Sequence, residues 1–388
     1  MIDTGVHDAQ RLRELQALPL WRKIQITQTR ILEWYHHYDG AVYVSLSGGK
    51  DSTVLLDLAR RAFPDIKAMF VNTGLEYPEI RKFALSFDNV DETHPVWGRA
   101  AKKHGKKPKD VITFKDVVTN YGYPIISKAV SNAIGESRRT PNGSRWVRLH
   151  GGYKRKDGRK SMYDHSRYLP LYYLPVRISD TCCKVSKKGP AHEYQHTTGL
   201  HPIVATMTDE SLIRRQAWIT TGCNAFSSKE PISKPMSFWT EQDVLHYISD
   251  YGVKICSVYG EVVTEDCDGF EYSTILNPQA PLHCTGCQRT GCIFCAYGCH
   301  LEKGETRFQR LKRTHPKLYT HCIEGGDMEQ KPGLQPERNG SRQVEPAGNM
   351  DPVERGARHG PSVRHGERDI RPRLYPVQMT RRWSTCNS

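Results

Sequence analysis

Two sets of residues in this chain have the types and spacing to do chemistry. The first is Ser47-Gly48-Gly49-Lys50-Asp51-Ser52, which packs two glycines, a lysine, a carboxylate and two hydroxyls into six positions. Glycines let backbone N–H groups turn towards an anion, and a helix start adds partial positive charge. Ser47 and Ser52 can donate hydrogen bonds, Lys50 neutralises charge, and Asp51 suits either orienting Lys50 or holding Mg²⁺. These are the parts of a phosphate site. The common nucleotide-triphosphate loop, G-x-x-x-x-G-K-[ST], is nevertheless absent, because "SLSGGKDS" lacks the first glycine at that spacing.

The second set is cysteine. None precedes Cys182, and eleven of the twelve fall between Cys182 and Cys322. The run Cys284-x2-Cys287-x4-Cys292-x2-Cys295, followed by Cys299-His300, demands a metal or redox reading. Three metal readings stand side by side. A zinc knuckle would use both pairs, although four residues between pairs is short for a zinc ribbon. Cys287-x4-Cys292-x2-Cys295 mimics plant-type ferredoxin spacing. The third reading joins Cys182-Cys183 to a distant C-x-x-C.

These residues need elements to position them. "AVYVSL" before the glycines reads as a buried strand, and "DSTVLLDLARRAF" after them puts Val54, Leu55, Leu58 and Ala62 on one helical face. "IKAMFVNTG" is a second buried strand, so the order is βαβ, with a parallel sheet and a right-handed crossover. Upstream, Ile24, Ile31, Trp34 and Tyr35 are spaced for an amphipathic helix ending at Gly40. Another helix is expected in "WTEQDVLHYISDYG", with Thr240 as N-cap, Asp243 three residues later and Gly252 past the end. Some helix is expected in "YPIISKAVSNAIGES", and "LEKGETRFQRLKRTHPKLY" reads as a basic helix.

From about residue 98 to 165 the apolar pattern weakens and basic residues accumulate, interleaved with Trp146, Tyr153 and Tyr163. Solvated charge is the ordinary reading of such runs, but basic and aromatic residues together also suit nucleic acid or a phosphorylated ligand. From about Gly325 the chain is polar and rich in Arg, Gly and Pro, which reads as a disordered tail. The formal charge of +14 favours polyanionic partners. No apolar run is long enough for a bilayer, and "MIDTGVHDAQRLREL" lacks the basic-then-apolar order of a signal peptide. A soluble, cytoplasmic protein with reduced thiols is the expectation.

"SGGKDS" resembles the pyrophosphate (PP) loop of the N-type ATP pyrophosphatase superfamily, and within it the phosphoadenylyl-sulfate and adenylyl-sulfate reductase family. Further stretches agree in the same order. "NTGLEYPEI" is similar to that family's D-T-G-x-x-x-P-E motif, "DTCCKVSKKGP" to its double-cysteine basic motif, and "TMTDESLIRRQ" to its R-x-x-E-S-x-x-R segment. In that last stretch Thr206 or Met207 stands near where an arginine is usual. "KPMSFWTEQDVLHYI" is similar to the P-L-x-x-W-T-x-x-D-V-W-x-Y-I helix. The resemblance covers roughly residues 25–320 and leaves the basic insert and the tail unexplained.

The resemblance implies a doubly wound, mostly parallel α/β sheet of the adenine-nucleotide α hydrolase type. It would carry a basic insertion, a Cys-rich metal segment and a disordered tail, arranged as 1–40 helical, 41–325 the PP-loop domain and 326–388 the tail. It implies that Ser47 to Ser52, Asn72, Thr73, Gly74, Glu79 and Arg214 (or Arg215) meet an adenylylated ligand, ATP or adenylyl sulfate, with Lys50 and Asp51 closest to the chemistry. It implies a [4Fe-4S] cluster on Cys182, Cys183, Cys292 and Cys295, with zinc as the alternative; the adjacent Lys184, Lys187 and Lys188 would offset the thiolate charge or contact a substrate anion.

Two enzymes and one binding protein follow as expectations. A reductase would convert adenylyl sulfate, or its 3′-phosphorylated form, to sulfite with electrons from a thiol donor. The reductases' E-C-G-x-H nucleophile motif does not occur in this sequence, and Cys299-His300 only echoes it. A sulfur transferase would instead use ATP to modify DNA or RNA, releasing pyrophosphate. A non-enzymatic nucleotide- or nucleic-acid-binding protein with a zinc knuckle is the third reading.

Overall fold

The computed structural model describes residues 7–161, 163–265, 271–272, 281–302 and 304–324. All of them belong to one compact unit, Met1–Glu337. The tail expected beyond residue 325 lies outside the described residues.

Eleven strands are present among the described residues: β1 (Val42–Leu46), β2 (Lys67–Val71), β3 (Val90–Thr93), β4 (Ile125–Ile126), β5 (His201–Ile203), β6 (Asn224–Ala225), β7 (Ile232–Ser233), β8 (Val262–Glu265), β9 (Glu271–Tyr272), β10 (Leu282–Cys284) and β11 (Ala296–Tyr297). Six make the main sheet in the order β3-β2-β1-β5-β7-β6, every pairing parallel except β6 with β7. The mostly parallel α/β sheet is therefore as the βαβ pattern required. β1 lies between β2 and β5, so the chain reverses direction across the sheet beside the strand that feeds Ser47. Open parallel sheets offer ligands a crevice at such a point.

The apolar face of Leu20–His37 buries Ile26, Ile31 and Trp34, whereas Ile24 and Tyr35 are only half buried. The helix stops before Gly40, whose φ of +78° an L side chain rarely adopts. Lys50–Ala62 covers the sheet with Val54, Leu55 and Leu58 fully buried, and Ala59 takes the place expected of Ala62. Glu241–Tyr251 begins at a capping box in which Thr240 and Asp243 bond each other's backbone N–H. Asp243 also bonds the buried Lys23 Nζ at 2.7 and 2.8 Å, and the Tyr247 hydroxyl donates to Asp57 at 2.6 Å. Those two contacts fix the helix against both Leu20–His37 and Lys50–Ala62.

Residues 98–180 carry the helices Phe114–Asn120, Lys128–Arg139 and Ser144–Leu149 and two small apolar cores of their own, one around Trp97 and Val117, the other around Ile134 and Leu149. The helix expected from residue 123 starts only at Lys128, because Ile125–Ile126 is taken up as β4, which pairs with β11. Downstream, β8, β9 and β10 form an antiparallel sheet. The single basic helix expected over 301–319 is two, Arg307–Thr314 and Pro316–Glu324. Pro316 cannot continue a helix but suits the first turn of the next.

Candidate functional site: a phosphate loop beside a thiol group

β1 delivers Ser47 to its carboxyl end, and Gly49 is the N-cap of Lys50–Ala62. Gly48 has φ +71°, and a Cβ there would lie 2.8 Å from Ile80 Cγ2 and 2.9 Å from Ile80 O. Only glycine permits both the left-handed backbone and this close approach of Pro78–Ala84. The hydroxyls are used locally: Ser47 Oγ lies 2.9 Å from Ser52 Oγ, and Ser52 Oγ donates to Gly49 O at 2.9 Å.

Lys50 is buried, with Nζ 3.0 Å from Glu241 Oε1, 3.4 Å from Asp51 Oδ1 and 3.5 Å from Gln288 O. Burial opposes its charge, but Asp51 and Glu241 more than offset that and hold the ammonium above the ordinary lysine range. Asp51 Oδ1 is buried and accepts no hydrogen bond among the described residues. The Lys50 backbone N–H donates to the Tyr259 hydroxyl at 3.2 Å, and that hydroxyl is 2.6 Å from Thr290 Oγ1. Tyr259, Gln288 and Thr290 thus lie over the loop, and none of them is visible in a motif search. Glu241 has a faint sequence signal, an acid in the first turn of a well-capped helix.

Arg214 forms an ion pair with Glu210 and lies in the field of Asp51 and of Arg289. Burial and Arg289 draw the guanidinium below its ordinary range, with Asp51 opposing. Burial likewise lowers Lys234, which Arg214 and Lys188 repel. Arg214 is thus the cation that the field of Asp51 links to the loop, with Arg289 and Lys234 each coupled to Arg214.

The turn after β2 faces a different neighbour. Asn72 donates to Glu92 at 2.7 Å and accepts from the Gly74 N–H at 2.9 Å. Thr73 bonds Glu76 through both its N–H and its hydroxyl, and Glu76 Oε1 reaches Lys187 Nζ at 3.7 Å. Glu79 pairs with His315, Oε1 to Nε2 at 3.0 Å, rather than with the loop.

Lys187 stands among the four expected cysteine ligands. It bonds Cys292, and its charge is felt by Cys182, Cys183 and Cys295. Cys292 and its neighbour Glu76 hold the Lys187 ammonium above its usual range. Burial pushes the Cys292 thiol up to about 12 and the Cys182 thiol up to about 11. Cys295 Sγ accepts the backbone N–H of Tyr297. Two backbone contacts bring the separate stretches together: β4 pairs with β11, and the Ile293 N–H donates to Leu75 O at 2.7 Å.

The other C-x-x-C goes elsewhere. Cys287 bonds the Tyr77 hydroxyl and interacts with Cys256, while Cys284 is in the field of Lys50, Glu241 and Asp51. Neither Cys284 nor Cys287 shares any of these interactions with Cys292 or Cys295. Among the described residues no three His, Cys, Asp or Glu side chains stand in the arrangement of a preformed metal site. Cys182, Cys183, Cys292 and Cys295 each interact with Lys187 or with one another, without standing as a preformed site.

The site is a glycine turn between a strand end and a helix start, at the carboxyl ends of the parallel strands of an open α/β sheet. Residues 41–93, which span β1, the loop, β2 and β3, match the family described as the phosphoadenosine phosphosulfate reductase domain. The matched segment holds the 47–52 loop and the Asn72-Thr73-Gly74 turn, two of the stretches that carry the resemblance. An uncharacterised protein of Methanocaldococcus jannaschii is 40% identical over 52 residues, which are 12% of this chain and 13% of the relative. A crystal structure of phosphoadenylyl-sulfate reductase from Candida auris, a phosphate complex, is similar at 15% identity. The match covers 64% of this chain and 90% of that one, with a TM-score of 0.32. Among the described residues no helix is long and apolar enough to cross a membrane.

Proposed function

We propose that the chain binds an adenylylated sulfate, adenylyl sulfate or its 3′-phosphorylated form, on the 47–52 loop and acts on its sulfate end, releasing sulfite and the nucleotide. The observation that carries this reading is the turn at the end of β1, where left-handed Gly48 and buried Lys50 open the helix Lys50–Ala62 and an anion would meet backbone N–H groups and a charged lysine. The family match over 41–93 supports a sulfonucleotide as that anion. The chain's own contribution is electrostatic. Gly48 lets the backbone turn at the anion, and Lys50, held charged by Asp51 and Glu241, stabilises charge that develops on the transferred group.

Cys182, Cys183, Cys292 and Cys295 offer the donor set for a [4Fe-4S] cluster, or for zinc, provided Lys187 releases Cys292. Such a cluster would supply redox or electrostatic chemistry near the ligand. Asp51 Oδ1, buried and paired with Lys50 at 3.4 Å without a hydrogen bond, is the carboxylate that Mg²⁺ would use. A dithiol donor outside the chain would supply the two electrons that the reduction to sulfite consumes, and would leave as its disulfide.

A second reading, an ATP-dependent sulfur transferase acting on nucleic acid, rests on the basic residues of 98–165. One experiment separates the two. The purified protein is incubated with adenylyl sulfate or its phosphorylated form plus a dithiol, and separately with ATP plus DNA or RNA. Sulfite from the first mixture supports the reductase; pyrophosphate from the second alone replaces it with the transferase.

A further inference from the structure

The basic segment folds into a feature that the loop and the thiols do not use. Between Arg145 and Arg167 stand eight Lys and Arg against two Asp. Their centre is a tight hairpin: Lys154 and Lys160 are bridged antiparallel, and the Arg155 N–H donates to Arg159 O at 2.8 Å. Gly158, at φ +78°, makes the turn, helped by Asp157, whose carboxylate accepts the Arg159 N–H at 3.1 Å. Five cations, Lys154, Arg155, Lys156, Arg159 and Lys160, are all exposed. Arg155 has Asp157 at 3.8 Å, whereas Lys154 and Lys156 have no carboxylate partner among the described residues.

The hairpin is anchored by aromatic and cation contacts. The Arg148 guanidinium lies over the Tyr153 ring at 4.8 Å and the Tyr163 ring at 5.3 Å, and the two rings meet edge to face at 6.4 Å. The Gly152 N–H donates to Val147 O at 3.0 Å, tying the hairpin to Ser144–Leu149. Tyr163 keeps 45% of its surface exposed. A folded arm with a row of exposed cations beside a braced, exposed aromatic ring answers a specific chemistry. The cations match regularly spaced phosphates, and the ring offers a face for a base that is not already stacked in a duplex.

We propose that the hairpin Tyr153–Tyr163 is a docking surface for single-stranded nucleic acid. An acidic protein would use the cations but leave Tyr163 idle, and so would an anionic membrane surface. The proposal does not rest on the reading of the loop.

The test measures fluorescence anisotropy of labelled single-stranded DNA and RNA with the full chain across a salt series. Two variants are compared, each checked for an unchanged melting temperature: the hairpin with its five cations changed to alanine, and Tyr163→Ala. The wild type should bind, and the five-cation variant should bind at least about tenfold more weakly, its log-log salt slope reduced by roughly 3. Tyr163→Ala should weaken binding about fivefold or more with the slope unchanged. Absence of binding at low salt overturns the proposal. So does equal binding by wild type and the five-cation variant, which would move the contact to another basic stretch. An unchanged affinity of Tyr163→Ala, or tighter binding to acidic vesicles or to polyglutamate than to the oligonucleotides, assigns the arm to a different partner.

Discussion

The loop at 47–52 and the thiol group at 182–183 and 292–295 lie at the same end of the molecule and are built in opposite ways. The loop is contiguous. A buried strand, two glycines and a helix start fix its backbone, and Ser47, Gly49 and Ser52 bond one another. The thiols come from stretches more than a hundred residues apart, the later one held by the β4–β11 pairing and the Ile293–Leu75 bond and the earlier one by the core that Cys182 shares with Trp97 and Val117. Charge is handled differently too. In the loop an ammonium is held by carboxylates, while among the thiols an ammonium is held by sulfur and by Glu76. A site made of local backbone tolerates change around it, and one assembled from distant segments depends on everything that joins them. The segment 284–295 touches both, through Gln288 and Thr290 at the loop and Cys292 and Cys295 at the thiols.

This contrast can be broken or sharpened by four changes. The largest effect is expected at Lys50. Lys50→Ala should lower turnover of the adenylylated ligand by roughly 10²–10³ while far-ultraviolet circular dichroism stays native; turnover near wild type would remove the loop from the chemistry. Next is Gly48→Ala, which forces a Cβ against Ile80 and a left-handed backbone. A loss of about 2–5 kcal/mol is expected, read as a fall in melting temperature. An unchanged melting curve would mean that Pro78–Ala84 yields easily, and that the loop is less fixed than its contacts imply.

The third change tests the non-local site. Cys292→Ser, purified without oxygen, should lose bound iron and sulfide, or zinc, while keeping nucleotide binding within about threefold of wild type. If metal content is unaffected, Cys292 is not a ligand; if nucleotide binding collapses with the metal, the two sites are one unit. The smallest effect is expected at Tyr259, whose hydroxyl occupies the Lys50 N–H. Tyr259→Phe frees that donor and should tighten phosphate binding by about 2–10-fold in calorimetry. Weaker binding would make the hydroxyl a ligand contact rather than a competitor.

Much of the loop half was legible from sequence, because each of its signals acts within a few residues. Strand, glycine pair, helix and strand follow one another in "AVYVSLSGGKDSTVLLDLARRAF", and the capping box at Thr240 is read from two positions three apart. Where the expectation missed, a longer-range contact or a single residue had decided. β4 took Ile125–Ile126 out of a helix by pairing with β11, and Pro316 divided the basic helix. Glu79 looked like a ligand contact from its motif, yet His315, more than two hundred residues away in sequence, bonds it.

What the sequence determined by itself is the parallel βαβ unit and the glycine turn at its first strand end, since backbone conformation there follows from neighbouring residue types. What only the tertiary structure decided is which cations and thiols share a field. It set Glu241 and Tyr259 on Lys50, Arg289 beside Arg214, and Lys187 among four cysteines, while putting Cys284 in the field of Lys50 and Cys287 on Tyr77. Electrostatic neighbours are chosen by distance in space, and distance in space between remote segments is fixed by sheet pairing and core packing, which no short stretch of sequence contains.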